Sequence, residues 1–140
     1  MVGISDNRMM HTLVVARQSY HIAKNKYHLS ENDCRKAFMI GFLHDVGYEF
    51  SENNLEHPVK GYELIKETLG VELTEVREHG NANAEQTIFL AILNEADMTV
   101  DGKGTIVTVE ERLEDIKNRY SEDAPEYLKT VELVTKLNMI

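Results

Sequence analysis

Apolar side chains recur three and four positions apart along most of this 140-residue chain, the spacing of one face of an α-helix. Strict two-residue alternation is nearly absent. Met10, Leu13, Val14 and Arg17 follow the helical period, as do His11, Val15 and Ile22; together they predict a first helix over about 6–23. Ser30, with Asp33 three residues on, opens a second through Cys34, Ala37, Phe38, Ile40, Gly41 and Phe42, stopping near Val46-Gly47. Gly41 inside it costs about 1 kcal/mol relative to Ala, and close approach of another helix is the usual compensation. Pro58 in a first turn starts a third helix at His57, ending near Leu69-Gly70. A short helix over about 72–79 ends at Gly80. Asn83 with Gln86 caps a fifth over 84–96. Thr108 with Glu111 caps a sixth, to about Arg119, and Pro125 starts a seventh, to about Leu137. Only Thr105-Ile106-Val107-Thr108-Val109 has strand-like β-branched density, and it reads better as the loop leading into the Thr108 cap.

This pattern predicts an all-α fold, a single bundle of six or seven helices over residues 1–140. Its core spans about 5–100, with C-terminal helices over about 108–138 packed on it. Leu113, Ile116, Tyr120, Leu128, Val131, Val134 and Leu137 supply the apolar stripes for that packing. No repeat, low-complexity tract or Pro/Gly/Ser-rich linker divides the chain. With 42% hydrophobic and 28% charged residues, the composition is that of an ordinary folded protein and excludes wholesale disorder.

Charge and cysteine content narrow the function. The net charge of −9, from 15 Lys+Arg against 24 Asp+Glu, excludes a surface-wide footprint on duplex nucleic acid, which needs a basic face. A polyanionic small substrate would need local neutralisation by basic side chains or metal ions. The single cysteine, Cys34, excludes an internal disulfide and a Cys-based zinc site. No apolar run predicts a membrane span, and residues 1–6 predict no secretory leader. The expected setting is cytoplasmic.

Candidate chemistry lies in the histidines and two aspartates. His44-Asp45 follows the apolar run 38–43, and Asp97 ends the apolar run 88–93 in line with Phe89 and Leu93. His11 shares a face with Val15. Taken singly, each has an ordinary explanation: His11 as a hydrogen-bonded core residue, Asp97 as a turn cap, His44 as a helix terminus favoured by the dipole. Taken together, three apolar helices carry or end at a potential ligand and converge on one core. Buried carboxylates need partners, and a metal ion is one.

The order His11, then His44-Asp45, then Asp97 resembles the H…HD…D signature of the HD-domain superfamily of metal-dependent phosphohydrolases. The local sequences agree: Arg8-x-x-His11-Thr12-Leu13-x-Val15-Ala16 is similar to its R-x-x-H-[ST]-x-x-V-A opening. Gly41-Phe42-Leu43-His44-Asp45-Val46-Gly47 is similar to its L-L-H-D-[IV]-G centre, and Asn94-Glu95-Ala96-Asp97 to its A-D close. His57 and His79 fall where members with paired metals add two histidines, and the gap from His79 to Asp97 resembles that of bacterial HD-type diadenosine tetraphosphate hydrolases.

The resemblance implies one metal held by His11, His44, Asp45 and Asp97. It implies a second metal held by His57 and His79, with Asp45 bridging and a hydroxide between the ions as nucleophile. Four imidazoles and two carboxylates suit two divalent transition metal ions, Fe, Mn, Co, Ni or Zn, better than Mg. The implied partner is a small phosphorylated molecule, a nucleotide or other phosphoester, with Lys60, Lys103 and Arg8 as candidate phosphate-facing cations. His21 and His28 fit no ligand position and read as surface residues. Two departures limit the transfer: Tyr48 stands where many relatives have Lys after HD-x-G, and Met98-Thr99-Val100-Asp101 lacks the Glu-Pro turn of the tetraphosphate hydrolases. Two other functions stay open: a di-iron oxygenase of the myo-inositol oxygenase type, with the same six ligands, and a non-catalytic metal- or ligand-binding module.

Overall fold

The structure is a computed structural model that describes residues 6–47 and 57–139. Seven helices make up its regular structure: α1 (Asp6–Asn25), α2 (Glu31–Leu43), α3 (His57–Leu69), α4 (Thr74–Glu78), α5 (Ile88–Asp97), α6 (Val109–Tyr120) and α7 (Pro125–Lys136). The described residues form no strand beyond one isolated antiparallel bridge, Val100 to Ile106. The bundle is all-α, as the periodicity requires. No helix of the described residues is long and apolar enough to cross a membrane.

Local chemistry sets most helix ends. The Ser30 side chain accepts from the Asp33 amide and caps α2. Thr108 and Glu111 form a reciprocal capping box on α6, and Pro125 begins α7. The expected fifth helix starts later than its Asn83–Gln86 signal suggests. Thr87 caps it instead, accepting from the Leu90 amide at 3.3 Å. The reason is tertiary: Gln86 accepts at 3.0 Å from the side chain of Asn94, a buried residue of α5, and Asn94 Oδ1 accepts from the Gly80 amide at 2.9 Å. Gln86 is therefore engaged by Asn94 rather than by a helix cap, and Thr87 takes over the capping. The fourth helix is also shorter than expected, and Gly80 follows it at φ +80°, a conformation that costs a residue without Cβ little.

The core joins α1, α2 and α5. Val15, Ile40, Leu93, Ala96 and Val100 form one buried cluster; Ala23, Cys34, Ala37 and Ile92 form a second. α1 and α2 pack most extensively, and Gly41 makes this possible. A Cβ added there would stand 2.9 Å from Ala16 Cα and from Ser19 Oγ. Gly47 plays the same part for α3, since an added Cβ would overlap the His57 carbonyl. A third cluster, Ala82, Met98, Leu133 and Val134, seats α7 against the exit of α5. Leu128, expected in the apolar stripe of α7, instead points outward at 55% exposure, and Leu133 takes the inward position.

Candidate metal centre

Six side chains from five segments meet at one end of the α1–α2–α5 core. His11 lies on α1, His44 and Asp45 follow α2, His57 opens α3, His79 follows α4, and Asp97 closes α5. His11, His44, Asp45 and His79 are buried; His57 and Asp97 are partly so. They form two groups able to hold a metal ion, with ligand atoms in each group within 4.8 Å of one another. One is His11, His44, Asp45 and Asp97; the other is Asp45, His57 and His79.

Asp45 belongs to both groups, and its two oxygens divide between them. Oδ2 lies 3.5 Å from His11 Nε2 and 3.2 Å from His44 Nε2. Oδ1 lies 3.3 Å from His57 Nε2 and 3.6 Å from His79 Nε2. Asp97 Oδ1 completes the first group, 2.9 Å from His11 Nε2 and 3.4 Å from His44 Nε2.

The backbone fixes the imidazoles. His11 Nδ1–H donates to the Asp101 carbonyl at 2.8 Å, His44 Nδ1–H to Gly41 at 2.6 Å, and His79 Nδ1–H to Val76 at 2.6 Å. In a neutral ring this leaves Nε2 as a bare lone pair. Those lone pairs face carboxylate oxygens, and His79 Nε2 also lies 2.9 Å from His57 Nε2. The buried His44 Nε2 makes no hydrogen bond at all. Acceptors facing acceptors repel unless a cation lies among them. The donor set therefore fits divalent metal ions, with borderline nitrogen and hard oxygen ligands together.

Without an ion, a proton must serve. Burial acts to lower the His44 pKa, but the charges of Asp45 and Asp97 outweigh it and hold the imidazole well above the ordinary histidine value. Burial likewise acts to raise Asp45, and the charge of the neighbouring His44, with His57 and His79 close to its other oxygen, holds it well below the carboxylate range. Asp97 is held low against its burial by His11 and His44. His79 is pushed down by burial and by His57 and His44, against the pull of Asp45.

Two cavities open on the cluster. The larger, about 430 Å³, is bounded by Asp45, His57, His79 and Asp97, and by apolar Met98, Ile116 and Leu133. The smaller, about 250 Å³, reaches His11 and Asp45. Arg8 and Lys103 line the smaller cavity, whereas Lys60 is exposed on α3 and lines neither. His21 and His28 are exposed. Tyr48 lies outside the described residues.

Sequence reasoning missed the basic side chains of the later helices. Arg112 and Arg119 line both cavities, and Arg77 and Lys129 line the larger. Arg112 is buried, with Nη1 2.9 Å from Asp115 and Nη2 3.9 Å from Asp97. A signal was available: Arg112, Ile116 and Arg119 recur at helical spacing along α6, so one face of that helix mixes basic with apolar positions.

The sequence matches the family model described as HD domain over residues 8–101, more than half of the chain. No curated protein and no solved structure matches it.

Proposed function

This chain belongs to the HD domain family, and from that premise we propose that it is a metal-dependent phosphohydrolase acting on a nucleotide or other small phosphoester. The observation that carries this reading is the division of Asp45, one oxygen toward each of two ligand groups. In this reading His11, His44, Asp45 and Asp97 hold one divalent ion, and His57 and His79 hold a second that shares Asp45. Bound ions of this kind supply Lewis acidity to a phosphoryl oxygen and bring the pKa of water toward neutrality.

The protein's own groups do the rest. The carbonyls of Asp101, Gly41 and Val76 hold three imidazoles with Nε2 presented inward, so the ligand set is organised before any ion arrives. Cys34 is buried in the second core cluster and away from both cavities. The attacking group is accordingly water rather than a thiolate. Arg112, fixed by Asp115 beside Asp97, offers the phosphoryl oxygens a charge-assisted hydrogen bond. The cationic lining suits a phosphorylated or phosphonate substrate, so O₂ dependence is what separates hydrolysis from the oxygenase reading.

The test is elemental analysis of protein purified without added metal, paired with a broad phosphoester panel assayed anaerobically and in air. About two transition metal ions per chain, with phosphate released equally in both atmospheres, is the expected result. Turnover that needs O₂ would establish the oxygenase, and bound metal without any turnover would establish a binding module.

A further inference from the structure

We infer that Asn94 is a positioning residue for the second metal group: it fixes the peptide link after His79 and so sets that imidazole against Asp45 and His57. The inference rests on the two-ion reading for what His79 does, but not for what holds it.

The ligands of the first group stand on or directly after longer helices, His11 on α1, His44 and Asp45 after α2, and Asp97 in α5. His79 follows α4, which has five residues. A helix of that length does not hold itself in water, so contacts from outside set where its end lies. α3 supplies one: Val76 lies against Gly61, where an added Cβ would stand 3.3 Å from Val76 Cγ1. α5 supplies another through Asn94, whose Oδ1 accepts from the Gly80 amide at 2.9 Å. That amide is half of the peptide group it forms with the His79 carbonyl. Gly80 has φ +80°, so the chain turns directly after the ligand, at the point that Asn94 holds. Within the turn, His79 Nδ1–H donates to the Val76 carbonyl. Backbone and ring are then both fixed, and Nε2 is aimed at Asp45 Oδ1 and His57 Nε2.

Asn94 is an unexpected residue for its place. It is 1% exposed, on a helix whose other buried residues are Leu90, Ile92, Leu93 and Ala96. A leucine of similar size would suit both helix and core better, whereas a buried amide needs partners at both ends. Its partners also fix which way it points. Gln86 Nε2 donates to the carbonyls of Ala84 at 3.2 Å and Asn81 at 3.5 Å. That leaves Gln86 Oε1 to accept from Asn94 Nδ2 at 3.0 Å, and turns Asn94 Oδ1 toward Gly80. Asn94 precedes Asp97 by one turn, on the same side of α5. One helix therefore gives the first group a ligand and the second group the hold on its histidine.

The test uses the full chain and two variants. Asn94→Leu keeps the volume and removes both hydrogen bonds; Gln86→Ala alters only the loop and stands in should Asn94→Leu fail to fold. Stepwise titration of metal-free protein with Co²⁺, followed by calorimetry and visible absorption, reads the two groups separately, the weaker step being that of the three-ligand group. In Asn94→Leu the weaker step should lose at least about tenfold in affinity, the scale for removing a group that orients a ligand, with the tighter step and its absorption band unchanged. Gln86→Ala should weaken the same step by a smaller factor. Hydrogen exchange of the Gly80 amide in metal-free protein reads the contact itself and should quicken at least about tenfold in Asn94→Leu. Equal losses at both steps, the mark of a residue that only supports the fold, or no loss at either, would overturn the inference. If the unsubstituted protein took up only one Co²⁺, the two-ion reading would fail. The metal-free readout would still decide the positioning role: unaltered Gly80 exchange and unaltered His79 ring resonances in Asn94→Leu would overturn it, and changes in both would uphold it.

Discussion

Each buried imidazole of the cluster has one nitrogen committed to a backbone carbonyl, so protonation and metal binding compete for the other. His44 shows this most clearly, because Asp45 and Asp97 raise its pKa. A group raised in the folded state contributes stability that is full below the unfolded histidine value and is lost as pH rises through the folded one. Metal-free protein should therefore lose stability as pH rises above neutrality, while metal-loaded protein should not; thermal melts across pH with and without chelator check this. Asp45 and Asp97, held low, contribute in the opposite sense, with stability lost as pH falls through their depressed values. It also follows that metal uptake displaces the His44 proton. Calorimetry in two buffers of different ionisation enthalpy should report net proton release. Substitutions sort by the oxygen they touch: Asp45→Ala should lose both ions and all activity. His79→Ala should keep about one ion per chain and be nearly inactive, since the second group then retains only His57 and Asp45. Exposed His21→Ala should leave metal content unchanged.

At the scale of elements, the site depends on how closely helices approach. Gly41 lets α2 lie against Ala16 and Ser19 of α1, and that contact sets His44 beside His11. Gly41→Ala should destabilise by about 1–3 kcal/mol, the usual cost of overpacking, and should weaken metal binding as well, because α2 must move away from α1. Urea melts and metal titration together distinguish this from loss of stability alone. The caps act more locally. Thr108→Ala removes half of the α6 capping box and should cost about 1 kcal/mol. Because α6 carries Arg112 and Arg119, fraying of its first turn should raise KM more than it lowers kcat.

At the scale of the molecule, α6 and α7 complete the core and close the site from one side. Leu133 and Val134 cover Met98 and Ala82, while Arg112 reaches Asp97. Truncation after Gly104 should expose Met98 and the Asp97 edge, lowering melting temperature and solubility. A truncated chain as soluble and as stable as the whole would show that these helices are a detachable tail.

The helical class and the caps at Ser30, Thr108 and Pro125 followed from sequence, because periodicity and capping are local and the side chains involved lie within one turn of each other. The order of His11, His44-Asp45 and Asp97 was legible for a related reason: apolar runs that end in ionisable residues mark where a core meets a polar centre. What local pattern could not carry was decided by packing. Gln86 turned from helix cap to partner of Asn94, since a buried amide seven residues beyond the loop made the stronger demand. Leu128 and Leu133 exchanged the inward position, because the direction of α7 is set by Met98 and Ala82 rather than by its own period. Lys60 points to solvent, although it lies one turn from His57. Arg112 and Arg119 reach the centre from a helix that begins twelve residues after Asp97, held there by Asp115 and Gly102. Charge recognition across such distances depends on which helix faces close on one another, a property of the folded chain that no stretch of sequence holds by itself.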